Sequence, residues 1–178
     1  MRAGAERPLQ PAQIMRTDRF PLAPGFVLGI AVAGFFDGIV LHQILQWHHM
    51  ICIETQCATT SVAALQRETL TDGLFHAAML VVLLIALVSF ANTLARGARF
   101  SRPRFWGSAL FGGGVFNVVE GIVDHHILQI HHVRFGPGQT PWDIGFLIVS
   151  AVLLAIGWAI AWRHDSAASA SSASPARR

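Results

Sequence analysis

Apolar residues gather into four long stretches, near Gly25–Trp47, Gly73–Ala95, Phe105–Ile130 and Ile144–Trp162. Each runs to about 20 residues, and at about 1.5 Å per residue that length crosses a hydrocarbon layer of about 30 Å. Strands of that length would leave backbone groups unsatisfied in lipid, so the pattern predicts helices. The expected fold is therefore all-α, a polytopic membrane four-helix bundle over residues 21–164. The polar arm 1–20 and the low-complexity tail DSAASASSASPARR (165–178) have little to bury and are expected to be disordered. Composition agrees: 53% of residues are hydrophobic and 13% charged, against about 25% charged in a soluble domain.

Charge sets the expected orientation. All the basic residues are arginines. They cluster in the N-terminal arm (Arg2, Arg7, Arg16, Arg19), the middle loop (Arg96, Arg99, Arg102, Arg104) and the tail (Arg163, Arg177, Arg178). The other two loops hold only Arg67 and Arg134. The positive-inside rule then predicts an inner (plasma) membrane protein with both termini and the middle loop in the cytoplasm. No basic stripe runs along the chain, which argues against a nucleic-acid surface. The first span is too long for a signal-peptide core, and no small-residue cleavage site follows it, so it is expected to remain as an anchor.

Within the apolar pattern lies a repeated polar string. DGIVLHQILQWHHM (37–50) and EGIVDHHILQIHHV (120–133) are identical at nine of fourteen positions, with Asp37 against Glu120 keeping the acid. TDGLF (71–75) and WDIGF (142–146) echo each other more faintly. The chain reads as a duplicated transmembrane hairpin, repeat one about 25–96 and repeat two about 105–162. Each hairpin has an even number of spans, so both copies insert the same way up and their histidine strings end on one side of the membrane.

On a helix of 100° per residue, His48, His49 and His42 fall about 20°, 120° and 140° from Asp37, and the third span repeats the layout. Gly34 with Gly38, and Asn117 with Gly121, would let the polar halves of the first and third helices approach. An ionised group at the bilayer centre costs about 2.5–3.5 kcal/mol on insertion scales, which a bound cation offsets. Imidazole with carboxylate suits copper, iron or zinc. On straight helices Asp37, His42, Glu120 and His125 form an inner group. His48, His49, His131, His132 and His76 form a layer nearer the surface, unless the helix unwinds near Gln46. The same residues could relay protons or cations, or form a polar structural core. Whether they catalyse a reaction is left open.

Plainer roles are expected nearby. Asp72 and Asp143 suit helix N-caps, although Asp72 is also placed to orient a ligand. Gln46 and Gln129 suit interhelical hydrogen bonding, and His164 suits solvent. Cys52 and Cys57 suit a disulfide in an oxidising compartment, or thiolate ligation. The acids beside the histidines make a haem pocket less suitable, and no CxxCH is present for covalent haem. The spacing His-x5-His-His is close to, but distinct from, the histidine boxes of membrane di-iron hydroxylases and desaturases.

DGIVLHQILQWHHM, NVVEGIVDHHILQIHHV and the following PWD resemble the signatures of a bacterial family of four-span membrane proteins classed as a domain of unknown function. The resemblance covers about residues 25–162. It implies a lipid-embedded bundle and a place near respiratory-oxidase assembly proteins, which points toward copper. A structural partner of a respiratory complex is the third function it allows.

Overall fold

The computed structural model describes residues 19–51 and 61–172, with side chains as far as Arg163. Among the described residues there is no strand; four helices carry the fold. Helix α1 (Ala23–Phe36) passes without a break into a π-helical segment, Asp37–Ile44. Helix α2 spans Val62–Ala95. Helix α3 (Arg102–Glu120) again widens into a π-helical segment, Gly121–Ile127. Helix α4 spans Gln139–Ser172. Taken together with the π-helical segments that continue α1 and α3, all four are long and apolar enough to cross a membrane. The backbone of α4 enters the stretch expected to be disordered, as its alanines favour helix.

Helices α1 and α3 form the central pair; α2 packs on α1 and α4 on α3. The central pair is close because its glycines meet backbone: a side chain at Gly29 would strike the carbonyl of Ala109, and one at Gly112 the carbonyl of Phe26. This differs from the contact expected of Gly34 and Gly38. Those two face α2, receiving Met79 and His76, while Gly121 faces Leu147 and Phe146 of α4. Glycines elsewhere on the two helices bring α1 and α3 together, and the motif glycines seat each outer helix.

The start of α2 also differs from expectation. The polar run QRETLTD reads as loop, yet it is helical from Val62 onward, with Ser61 accepting from the Ala64 amide as the N-cap. At 34 residues and 1.5 Å per residue, α2 is about 50 Å long and outruns the hydrocarbon layer. Its extra turns carry Glu68 and Asp72 beside the histidine end of α1. At that end Trp47 and Trp142 pack 5.1 Å apart, with Arg134 over both rings at 5.7 Å. At the opposite end Phe20, Phe90, Phe100 and Phe105 pack as T-shaped and tilted ring pairs.

Candidate metal centre

The site begins with how the two motif helices stop. In the π segment the amide of Leu45 bonds the carbonyl of Val40, and that of Leu128 bonds Val123. The next turn is wider still: Trp47 N–H reaches Leu41 O at 3.0 Å, and Ile130 N–H reaches Asp124 O at 3.1 Å. Between them Gln46 and Gln129 each take φ of 51°, the left-handed region that non-glycine residues seldom enter. The chain reverses there and brings the paired histidines back over the helix end. The exposed glutamines thus make the turn, where interhelical bonding was expected. A helix unwound at Gln46 also removes the layering that a straight helix imposes.

Two triads result, one in each half. Asp37, His42 and His48 bring ligand atoms within 4.8 Å of one another, as do Glu120, His125 and His131, and all six residues are buried. His42 Nε2 lies 3.0 Å from Asp37 Oδ2, and His48 Nε2 lies 3.7 Å from Oδ1. In the other half His125 Nε2 and His131 Nε2 lie 3.1 and 3.0 Å from Glu120 Oε1. The triads adjoin: the rings of His48 and His131 stack at 4.7 Å, and His42 sits 6.0 Å from His131.

Each triad is held by its outer helix and by the opposite half. Asp72 receives His42 Nδ1 at 3.1 Å, His49 Nδ1 at 2.8 Å, Gln43 Nε2 at 3.0 Å and the Met50 amide at 2.8 Å. Asp143 likewise receives His132 Nδ1 at 2.6 Å and the Val133 amide at 2.9 Å, with His125 Nδ1 at 3.5 Å. These acids were expected as N-caps; Asp72 lies ten residues inside α2 and instead fixes imidazoles. The support then crosses over. His48 Nδ1 bonds Val133 O at 3.0 Å, and His131 Nδ1 bonds Met50 O at 3.3 Å.

These partners decide where the ring hydrogens sit. A carbonyl only accepts, so Nδ1 of His48 and of His131 donates. In a neutral His48 ring, Nε2 then presents a lone pair to Asp37, whereas His131 Nε2 lies within hydrogen-bonding distance of Glu120 Oε1, at 3.0 Å. Nε2 of His42, His48 and His125, with Asp37 Oδ1 and Glu120 Oε2, has no hydrogen-bond partner. Lone pairs facing carboxylate oxygens in a dry interior repel unless a proton or a metal cation lies between them. Burial pushes the His48 imidazole below its ordinary 6.5, and the stacked His131 pushes the same way against Asp37.

The remaining candidates lie around the triads. His49 and His132 turn to Asp72 and Asp143, outside both groups. His76 stacks on Phe35 at 6.1 Å and packs over Gly38; its counterpart in the other half is Leu147 over Gly121. Cys52 and Cys57 lie outside the described residues. Glu68 was missed from the sequence: it is fully buried, both carboxylate oxygens lack partners, and Oε2 lies 3.8 Å from His49 Nε2. The available signal was Glu68, Asp72 and His76 at i, i+4, i+8 on one helical face.

A family profile described as "Predicted membrane protein (DUF2243)" matches residues 24–164. No curated protein and no solved structure matches the chain.

Proposed function

The chain belongs to that family of predicted membrane proteins, and from this footing we propose that it holds two transition-metal ions side by side, one in each half. Asp37, His42 and His48 bind the first ion; Glu120, His125 and His131 bind the second. The observation that carries this reading is that three of the four triad Nε2 atoms, those of His42, His48 and His125, are buried and aimed at carboxylates without hydrogen-bond partners, while the fourth, of His131, lies 3.0 Å from Glu120 Oε1. Ligand atoms about 2.0–2.2 Å from a tetrahedral ion lie roughly 3.3–3.5 Å apart, close to the 3.0–3.7 Å separations within the triads. Charge supports the same count. The four triad imidazoles contact four carboxylates, Asp37, Asp72, Glu120 and Asp143, whose charge two divalent ions would balance; Glu68 stands further out, against His49.

Two imidazoles and one carboxylate form the donor set that iron(II) and zinc favour, with positions left for an exogenous ligand. That chemistry places iron or zinc ahead of copper and gives haem no role. A cavity of ≈ 190 Å³ lined by Asp37, Glu120, Asp124 and His131 supplies room for such a ligand. The imidazole–carboxylate arrangement by itself faces the outside of the inner membrane if the arginine pattern sets the topology. Elemental analysis of the protein purified in detergent is the test. We expect two ions per chain in wild type and none in the His42→Ala/His125→Ala double variant; a metal-free wild type contradicts the reading.

A second reading has one observation behind it. Glu68, His49, Asp72, His42 and Asp37 form a string with successive separations of 3.8, 2.8, 3.1 and 3.0 Å, as a proton or cation path requires. Flux into liposomes that stops in Asp72→Asn would favour it. Association with respiratory-oxidase assembly proteins is tested by co-purification.

A further inference from the structure

The two halves approach the centre through cavities that occupy matching places. The cavity on one side is lined by Phe75, Phe116, Val119, Glu120 and Asp124. Their counterparts by sequence register are Phe146, Ala33, Phe36, Asp37 and Leu41, and all five line the groove on the other side. Four of the five pairs differ, and two exchanges change the wall most. Ala33 stands where the other half has Phe116, which removes a ring from a groove of ≈ 620 Å³ against ≈ 190 Å³ for the smaller cavity. Leu41 stands where the other half has Asp124, which makes the inner wall apolar.

The groove has the shape and lining of a chain-binding site. It runs along α1 from Leu28 to Leu41, about 20 Å at 1.5 Å per residue, and its volume falls in the range of about 300–1,000 Å³ that small-molecule ligands occupy. Its lips are exposed: Val32 56%, Trp106 56% and Val149 59%. In a four-span membrane protein these lips face hydrocarbon. Its polar side chains are few. Ser150 is already bonded to Phe146 O at 2.6 Å, and the indole N–H of Trp106 belongs to an exposed lip near the far end; the carboxylate of Asp37 and the amide of Asn117 lie at the histidine end. Polarity at one end of a long apolar trough is the complement of a molecule with one polar end and one long tail.

We propose that this groove binds a single-chain membrane lipid of alkyl or prenyl type, its tail along α1 and its polar end at Asp37 and Asn117. The lipid enters sideways from the bilayer, and the smaller cavity beside Asp124 is left for a small polar partner. The proposal rests on the metal reading only for what happens at the polar end; occupancy of the groove stands apart from it.

The test uses the full chain in lipid nanodiscs containing long-chain alcohols, whose hydroxyl can donate to Asp37, that carry a photoactivatable diazirine either beside the hydroxyl or at the tail end, with crosslinks mapped by mass spectrometry. We expect label on groove residues several-fold above label on Leu84 and Val88 of α2, which are as exposed at 52% and 60%. The hydroxyl-side probe should mark Leu41 and Asn117, and the tail-end probe Leu28. Ala33→Phe, which restores the residue of the other half, should cut groove label several-fold. Val149→Trp does the same from an exposed lip and is insulated from any folding effect at position 33. Equal labelling of the groove and α2, or groove labelling unchanged by Val149→Trp, overturns the proposal. Metal content measured on the same samples separates the two ideas. A metal-free protein with a labelled groove ends the metal reading alone; a metal-loaded protein with evenly spread label ends the lipid site alone.

Discussion

The two halves of the molecule agree where imidazoles are held and differ where the centre is approached. Asp72 and Asp143 do the same work on opposite flanks, and Gln46 and Gln129 share one backbone angle of 51°. The crossed bonds from His48 to Val133 and from His131 to Met50 tie each half to the other. The access walls differ instead, at Ala33 and Phe116 and at Leu41 and Asp124, as do the outermost groups Glu68 and Gln139. Resemblance concentrated at one set of residues and divergence at another is what a shared centre with two different entries requires. Even at the centre the likeness is incomplete: Nε2 of His42 and of His125 is unpartnered in both halves, but His48 Nε2 lacks a partner where His131 Nε2 meets Glu120.

The largest expected effect comes from breaking the likeness on one side. His42→Ala should empty the first site and leave the second, and His125→Ala the reverse; each should lower metal content by about half. Removing the acids behind the imidazoles should do less. Asp72→Asn should weaken metal in the first half about 10–100-fold, the usual cost of losing such an orienting group, and Asp143→Asn should act on the second. Competition with a calibrated chelator reads both. Asp72→Asn should weaken its half more than Asp143→Asn, because the His42 contact at 3.1 Å is shorter than the His125 contact at 3.5 Å.

Acid should act through His48 first. Its folded value lies below the ordinary 6.5, so an unfolded chain takes up the proton at a higher pH than the folded one. The stability this contributes is present above about pH 6.5 and is lost as pH falls through the lower folded value. Thermal melts between pH 5 and pH 8 of the metal-free protein should show it, and His48→Asn should flatten that slope. The smallest effect belongs to the turn. Gln46→Gly should keep full metal content, since glycine enters the left-handed region freely. Gln46→Val should cost about 1–2 kcal/mol, read as a lower melting temperature.

Much of this was legible in the residues. Length and apolarity specify four helices, and the repeated acid-then-histidine string marks the six residues that meet in the triads. Three things were hidden. A 3.6-residue period cannot reveal a helix that widens and reverses at a glutamine, so His48 and His131 were assigned to a separate layer from Asp37 and Glu120. QRETLTD is polar enough to read as a loop, so α2 was started at Gly73 and Glu68 was overlooked. Gly34 and Gly38 fit a helix-packing pattern, but the pattern does not say which neighbour fills it, and α2 does. In each case local sequence was right about chemistry and silent about the partner that tertiary packing supplied.

The most direct measurement is metal per chain across wild type, His42→Ala, His125→Ala and the double variant, prepared side by side. Two ions, one, one and none are expected. One ion in wild type that disappears in either single variant would mean a single shared site and would contradict a centre with one ion in each half, as would no metal at all.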